Sequence, residues 1–250
     1  AIEVEDFVTG NQTHIPLAGP ANKQGRILAN NLAGREEKFE ASQGTSIAKV
    51  FELTVASTGA NEKALKEAGI DYEICFTFPN SHVTYYPGAE EMVLKTIFDP
   101  EDGELLGAQI IGRKGIDKRI DVLATALRFN KTVFNLQELE LAYAPPYGAA
   151  KDPVNMAGYA SGNILNGDMD VIHWFEIDDL NLDETYLFDV RTRREYKAGR
   201  IEGAVNIPVD ELRDRLDELP DTDEDIVLYC RVGIRAYIAT RILAQKDLSR

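Results

Sequence analysis

Cys230 heads a short loop, Cys230-Arg231-Val232-Gly233-Ile234-Arg235, set between the apolar run "IVLY" and a segment of helical periodicity. Such a run delivers the cysteine to the carboxyl end of a buried strand, where open α/β sheets place their ligand sites. Backbone N–H groups curving into a helix N-terminus make an anion cradle that favours thiolate over thiol. Arg231 and Arg235 add fixed positive charge, and Gly233 permits backbone angles that a side chain forbids. The combination is expected to lower the thiol pKa and make Cys230 a nucleophile. A free cysteine at a strand end also has a second reading, as a small buried hydrophobe. Strand, cysteine and helix alone leave both open.

The elements that must position this loop alternate along the C-terminal third. Strand "YLFDV", helix "RREYKAG", strand "AVNIP", helix "DELRDRLDEL", strand "IVLYC" and helix "RAYIATRILAQ" follow one another. Strands alternating with helices predict a parallel sheet covered on both faces. The approach to it, "GDMDVIHWFEIDDLNLDET", is acidic and holds the single tryptophan. The order leads one to expect a further strand after Arg250.

The middle of the chain has a different rhythm. "TSIAKVFELTVASTG" alternates at strand period, "NEKALKEAG" reads as a short helix with a glycine stop, and "YEICFTFP" returns as a strand. "EEMVLKTIFDPEDGELLGAQIIG" predicts a hairpin turning at "DPEDGE". "IDKRIDVLATALRFN" predicts a long helix with Ile116, Ile120, Leu123 and Leu127 on one face. The expected result is an antiparallel sheet with helices on one side. Cys75, mid-strand among apolar residues, reads as core packing. Lys114, Lys118 and Arg119 of "GRKGIDKR" read as a helix start and solvated surface, with phosphate contact a lesser alternative. Upstream, "GPANKQGRILANNLAG" predicts one helix with a stripe of Ile27, Leu28 and Leu32, ended by Gly34. A single helix cannot form a domain, so this segment is expected to belong to something larger.

Bulk properties narrow the class of function. A formal charge of −15 over 250 residues argues against nucleic acid and anionic membranes as partners. There is no apolar run of bilayer length and no signal-peptide pattern at the start. With only two cysteines, a reducing cytoplasm is the expected setting. The three histidines are scattered, so no metal site is expected. No GxGxxG follows a strand, so neither dinucleotide fold is complete, and a chain without an initiator methionine reads as a mature or cut-out fragment.

Two family resemblances add to these readings. "YLFDVRTRREYKAGRIEGAVNIP" followed by "IVLYCRVGIRAYIATRIL" resembles the rhodanese sulfurtransferases, in the family's order. The resemblance implies that Cys230 carries a persulfide, that residues 231 to 235 cradle the substrate, and that Asp189 and Arg191 support the loop. Related cysteine phosphatases place five residues between Cys and Arg; here four separate Cys230 from Arg235, which suits sulfur better than phosphate. The family's last strand and helix have no counterpart, so an α/β rhodanese domain truncated at its C-terminus is expected.

"IPLAGPANKQGRILANNLAG", "QGTSIAKVF", "VASTGANEKALKEAG", "HVTYYPGAEEMVLK", "GAQIIGRKGIDKRIDVLATAL" and "LELAYAPPYGAAKDPVNMAGYASGN" resemble the flavin-dependent pyridine nucleotide–disulfide oxidoreductases. The likeness is to their coenzyme A-disulfide reductase and NADH oxidase branch, some members of which carry a rhodanese. It implies the tail of an FAD-binding domain over 1–43, an α+β dimerisation domain over 44–166 and a rhodanese domain over 167–250. It further implies a homodimer using FAD and NAD(P)H, with coenzyme A as substrate or carrier. Tyr143 would lie against the partner subunit's flavin, and Asn22, Tyr85 and Lys151 would line a coenzyme A pocket. Without the family, each tyrosine reads equally as a core aromatic with a satisfied hydroxyl. The implied function is part of a coenzyme A-disulfide or persulfide reductase with a fused sulfurtransferase. A water-forming NADH oxidase and a non-catalytic dimerisation or docking module are the alternatives.

Overall fold

A computed structural model describes residues 2–181, 185–220 and 225–246. The chain divides into two compact units, Ala1–Leu165 and Asn166–Arg250. The first begins with a two-stranded ladder, β1 (Val4–Glu5) and β2 (Gln12–Thr13), then helix α1 (Ala18–Leu32). Among the described residues the stripe predicted on α1 is only partly covered: Leu28 and Leu32 are exposed, Ile27 is half-buried, and no residue of the helix is fully buried.

A five-stranded antiparallel sheet forms the centre of this unit. Its strands are β3 (Ser46–Val50), β4 (Leu53–Gly59), β5 (Glu73–Thr77), β6 (Met92–Phe98) and β7 (Leu105–Gly112), ordered β3-β4-β7-β6-β5. The stretch from Thr45 to Gly59, uniform in its alternation, is in fact a hairpin. It reverses at Phe51–Glu52, with Phe51 at φ 52° and almost wholly exposed. Two-residue hairpin loops need positive φ to match strand twist, and here a phenylalanine rather than glycine supplies it. Four helices complete the unit: α2 (Glu62–Ala68), α3 (Ile116–Arg128), α4 (Val133–Glu138) and α5 (Pro153–Leu165).

Strand alternation shows which face each helix covers. Leu94 of β6 and Ile110 of β7 pack with Ile116, Ile120, Leu123 and Leu127 of α3, and Thr96 hydrogen-bonds Ser161 of α5 at 2.9 Å. Ile74 and Ile97 point the other way and pack on Leu65 of α2. Helices therefore lie on both faces, not one. The short α2 is held between two strands by its Asn61 cap and the left-handed Gly69, and Leu65 has no other apolar surface to fill.

Arg119 overturns the reading of its segment as solvated surface. It is 1% exposed, and its Nε and Nη2 donate to the two carboxylate oxygens of Asp152 at 3.2 and 2.8 Å. Nη2 and Nη1 also donate to the Ser81 and Gly115 carbonyls. The cause is helical spacing: Arg119 follows Ile116 by three residues and precedes Leu123 by four, on the buried stripe. Lys118 and Lys114 lie at the edge, donating to the carbonyls of Ala142 and Gly88.

The second unit holds a parallel sheet of β8 (Thr185–Asp189), β9 (Val205–Asn206) and β10 (Asp225–Tyr229), ordered β10-β8-β9. Helices α6 (Arg193–Ala198) and α7 (Ile234–Ala244) follow β8 and β10. Phe188, Val190, Ile207, Leu212, Ala239 and Ile242 are among its core. The helix expected over "DELRDRLDEL" is instead two 3-10 turns, Leu212–Asp214 and Leu216–Glu218. Asp210, Asp214 and Asp217 are poor helix formers. Arg215 breaks the run at φ −127°, its guanidinium spread between Glu211 and Glu218. Leu212 and Leu219 still reach the core. Residues 182–184 of the acidic approach and the chain end at Arg250, where a further strand is expected, lie outside the described residues.

Removing one partner of a buried ion pair leaves the other charge uncompensated, at about 3–5 kcal/mol. Asp152→Ala is expected to lower the unfolding free energy of the first unit by about that amount. The paired change Arg119→Met with Asp152→Leu restores most of it, as measured by urea denaturation.

Candidate functional site

The Cys230 loop grows from the parallel pairing of β8 and β10. Tyr229 stands beside Asp189, so Val190 and Cys230 leave adjacent strands at the same carboxyl edge, and Val190 N–H donates to the Tyr229 carbonyl at 3.0 Å. Asp189 is wholly buried. Its carboxylate accepts from the Arg191 backbone N–H at 2.9 Å and from Arg191 Nη2 at 2.6 Å. Burial opposes the charge on Asp189, but these hydrogen bonds outweigh it and hold the carboxyl below its ordinary value.

Arg191 reaches onward, donating to the Gly199 carbonyl at 2.7 Å and lying 5.5 Å from the centroid of the Tyr229 ring. Asn206 Nδ2 donates to the Asp189 and Arg191 carbonyls at 2.7 and 2.9 Å. The Tyr229 hydroxyl accepts from Ile201 N–H at 3.2 Å. Asp189 and Arg191 thus tie together the strand end, the 199–201 turn and the residue immediately before Cys230. Neither touches the sulfur through any of these bonds.

Cys230 is half-buried and free. Its Sγ accepts from the Gly233 backbone N–H at 3.1 Å. Gly233 has φ 89°, and no atom lies within 4 Å of where a Cβ would sit. Backbone conformation, not space, therefore requires glycine there. Helix α7 begins at the next residue, and the Gly233 carbonyl accepts from Tyr237 N–H at 2.8 Å. The sulfur thus sits at the positive end of an eleven-residue helix. Arg231 and Ile234 are exposed around it, and Val232 is half-buried.

Arg235 is not the bare positive charge that the loop suggests by itself. Its Nη1 and Nη2 donate to Glu195 Oε2 and Oε1 at 2.8 and 2.7 Å, a two-pronged pair. Glu195 was not among the residues singled out by sequence. It lies in "TRRE", whose first and fourth residues form a capping box on α6, a pattern readable from spacing alone. What spacing does not reveal is that the capping carboxylate also meets Arg235, 40 positions away.

A second constellation lies in the first unit. Tyr85 and Tyr143, 58 positions apart, bring their hydroxyls to 3.4 Å, with Tyr85 largely exposed and Tyr143 about half so. The Tyr85 hydrogen bond shifts the Tyr143 phenol above its ordinary pKa. Tyr85 and Lys151 line one cavity of about 310 Å³, together with His82, Thr84 and Pro153. The loop bearing Tyr85 is fixed by Val83 N–H donating to the Gly148 carbonyl at 3.0 Å, and by Arg119 on Ser81. Asn22 is not brought to this cavity. It lies exposed on α1, its Nδ2 donating to the Ala18 carbonyl one turn back.

Comparison with known proteins sorts the two constellations. Residues 45–153 match the pyridine nucleotide-disulphide oxidoreductase dimerisation domain, and residues 176–249 match the rhodanese-like domain. The chain is 37% identical over 163 residues to a coenzyme A disulfide reductase of Staphylococcus aureus, covering 62% of this chain and 37% of that protein. Its fold matches the reduced Bacillus anthracis CoADR-RHD with a TM-score of 0.96 and 52% identity, over 100% of this chain and 45% of the other. It also matches an NAD-dependent persulfide reductase from A. fulgidus with a TM-score of 0.89 and 38% identity, over 99% and 44%. The water-forming NADH oxidase from Lactobacillus brevis shares the fold of part of the chain, at 21% identity and a TM-score of 0.64, over 67% and 37%. The chain spans less than half the length of each of these relatives.

The two thiols differ sharply in setting. Cys75 is 4% exposed, and burial pushes its pKa up to about 12. Iodoacetamide at neutral pH is expected to modify Cys230 and spare Cys75 in the folded protein, as read by peptide mass spectrometry. The Asp189 carboxyl, lowered on folding, contributes stability above its unfolded pKa that is lost as pH falls through the lowered value. Asp189→Asn is expected to flatten the acid limb of stability against pH in the second unit.

Proposed function

The chain joins a pyridine nucleotide-disulphide oxidoreductase dimerisation domain to a rhodanese-like domain, and from that premise we propose that it is part of a coenzyme A-disulfide or persulfide reductase. Cys230 carries sulfane sulfur between thiols. The observation that carries this reading is the short Cys230 loop, with the Gly233 N–H on the sulfur at a helix N-terminus.

In this reaction the Cys230 thiolate attacks the outer sulfur of a donor persulfide. A new S–S bond forms, the donor's S–S bond breaks, and the donor thiolate leaves with that bond's electron pair. The product, a Cys230 persulfide, bears its charge on the outer sulfur, one atom further into the cradle of N–H groups. An acceptor thiolate, such as that of coenzyme A, then attacks that outer sulfur and releases the Cys230 thiolate. No net oxidation occurs in either transfer. Asp189 and Arg191 act beneath the loop, holding the strand end from which the cysteine projects.

The first unit supplies one wall of a reductase site. Tyr85 and Lys151 would meet coenzyme A, the lysine as a point charge for its phosphates and the tyrosine as a phenolic proton near a thiolate. Asn22, expected from the resemblance to line the same pocket, is not brought to it within this chain and is left out of the proposed site. Tyr143 would lie against FAD of the partner subunit in a homodimer, which its exposed ring edge fits. Among the described residues no glycine-rich strand-to-helix turn is present to hold a dinucleotide's phosphates. FAD supplies the two-electron link between NAD(P)H and a disulfide or persulfide. The division into 1–43, 44–166 and 167–250, with the first segment as the tail of an FAD-binding domain, belongs to the same proposal. So does a cytoplasmic setting, which suits two free thiols.

Incubation with thiosulfate or a low-molecular-weight persulfide, followed by mass spectrometry, tests the sulfur-carrying role. The Cys230 peptide is expected to gain one sulfur atom, removable by dithiothreitol, and Cys230→Ser to gain none. Absence of added sulfur on the wild-type peptide, with a reference rhodanese loaded in parallel, refutes it.

A further inference from the structure

Glu195 performs two tasks with one carboxylate. Its Oε2 accepts from the Thr192 backbone N–H at 3.0 Å and from Thr192 Oγ1 at 2.7 Å, which closes the first turn of α6. The same atom and Oε1 accept the two prongs of Arg235 at 2.8 and 2.7 Å. Thr192, in return, accepts the Glu195 N–H at 3.3 Å. The carboxylate is therefore held by four donors and cannot turn away without losing the cap. Arg235 is fixed in consequence, because a guanidinium gripped by both oxygens has lost most of its rotational freedom.

Arg235 lies one residue into α7 and also feels Cys230, whose sulfur is among the groups favouring its charged form after Glu195. Arg235 follows by two residues the Gly233 whose N–H meets the sulfur, and its guanidinium is fixed there by Glu195. Two consequences follow. The guanidinium is presented to the sulfur side at a set position, without a search among rotamers. Its charge, however, is largely offset by the carboxylate behind it, so an incoming anion meets much less positive potential than "CRVGIR" implies.

We propose that Glu195 is a positioning residue for the Cys230 loop, acting through Arg235 to fix the guanidinium and set the net charge met by an incoming sulfur donor. This rests on Cys230 as the sulfur carrier and adds a determinant of which donors it accepts. An offset charge disfavours a compact dianion such as thiosulfate relative to a donor with one negative charge at the reacting sulfur, such as a low-molecular-weight persulfide.

The test compares alkylation of Cys230 by iodoacetate and by iodoacetamide in the full chain, at one pH and low ionic strength. Both reagents consume the same thiolate, so the ratio of their rate constants cancels the thiolate fraction and reports the local potential alone. Glu195→Gln is expected to raise the iodoacetate-to-iodoacetamide ratio about fivefold, the order expected for unit charges a few ångströms apart in water. The rise is expected to shrink in high salt. Arg235→Gln, which leaves the carboxylate bare, is expected to lower the ratio below wild type. Thr192→Ala removes one of the four donors but leaves both charges in place, and is expected to reduce thermal stability with no comparable movement of the ratio.

A wild-type ratio in Glu195→Gln overturns the proposal, as does an equal shift in Thr192→Ala. Should Glu195→Gln fail to fold by circular dichroism, the Arg235→Gln arm decides, and a ratio at or above wild type overturns it. Sulfur loading of wild-type Cys230 is measured separately, so loss of the carrier role is distinguished from loss of this charge setting.

Discussion

Arginine–carboxylate pairs hold the loops of both candidate sites in place, and where the guanidinium is buried, as at Arg119, the carboxylate is obligatory. In the first unit Arg119 enters from the buried stripe of α3 and is met by Asp152, immediately before α5. The same arginine reaches Ser81, so the Tyr85 loop and the Lys151 segment share one anchor. In the second unit Arg191 on Asp189 secures the strand edge, and Arg235 on Glu195 secures the start of α7. The Arg119–Asp152 and Arg235–Glu195 pairs join segments that no regular ladder or helix connects. Geometry at these sites is consequently stiffer than loop composition alone suggests.

The same pairs shape the electrostatics. A cysteine loop with two arginines looks strongly positive in one dimension. In space, Arg235 spends its charge on Glu195, and the sulfur relies on the Gly233 amide and the α7 dipole. Amide dipoles are fixed by the fold and are not titrated, which suits the sulfur-carrying role proposed for Cys230. The contrast with Cys75 is instructive. The two thiols are chemically identical, but Cys75 lies on the edge strand β5, packed with Phe98 and Val133, where burial suppresses ionisation.

Periodicity was enough for the antiparallel sheet, the "DPEDGE" hairpin, the face of α3 and the alternating strands of the second unit, because each is a local pattern read at a period of two or 3.6. It failed where a local pattern had two outcomes. "TSIAKVFELTVASTG" alternates equally well as one strand or as a hairpin, and the turn depends on Phe51 accepting a left-handed backbone. "DELRDRLDEL" keeps Leu212 and Leu219 inward as 3-10 turns, its aspartates being poor helix formers. Arg119 was misread because charge was weighed above its place on the apolar stripe.

The sequence by itself determined the chemistry on offer: a cysteine at a strand end, a loop of fixed length around it, and a glycine where only glycine is relaxed. These are local facts, carried by residue type and spacing. Only the tertiary structure decided which charges remain for that chemistry and which side chains meet. Glu195 with Arg235, Tyr85 with Tyr143, and Arg119 with Asp152 stand 40, 58 and 33 positions apart. No periodicity extends over such separations. Packing of the sheets and helices brings these groups together, and for Arg119 with Asp152 the cost of burying an unpaired charge adds to it.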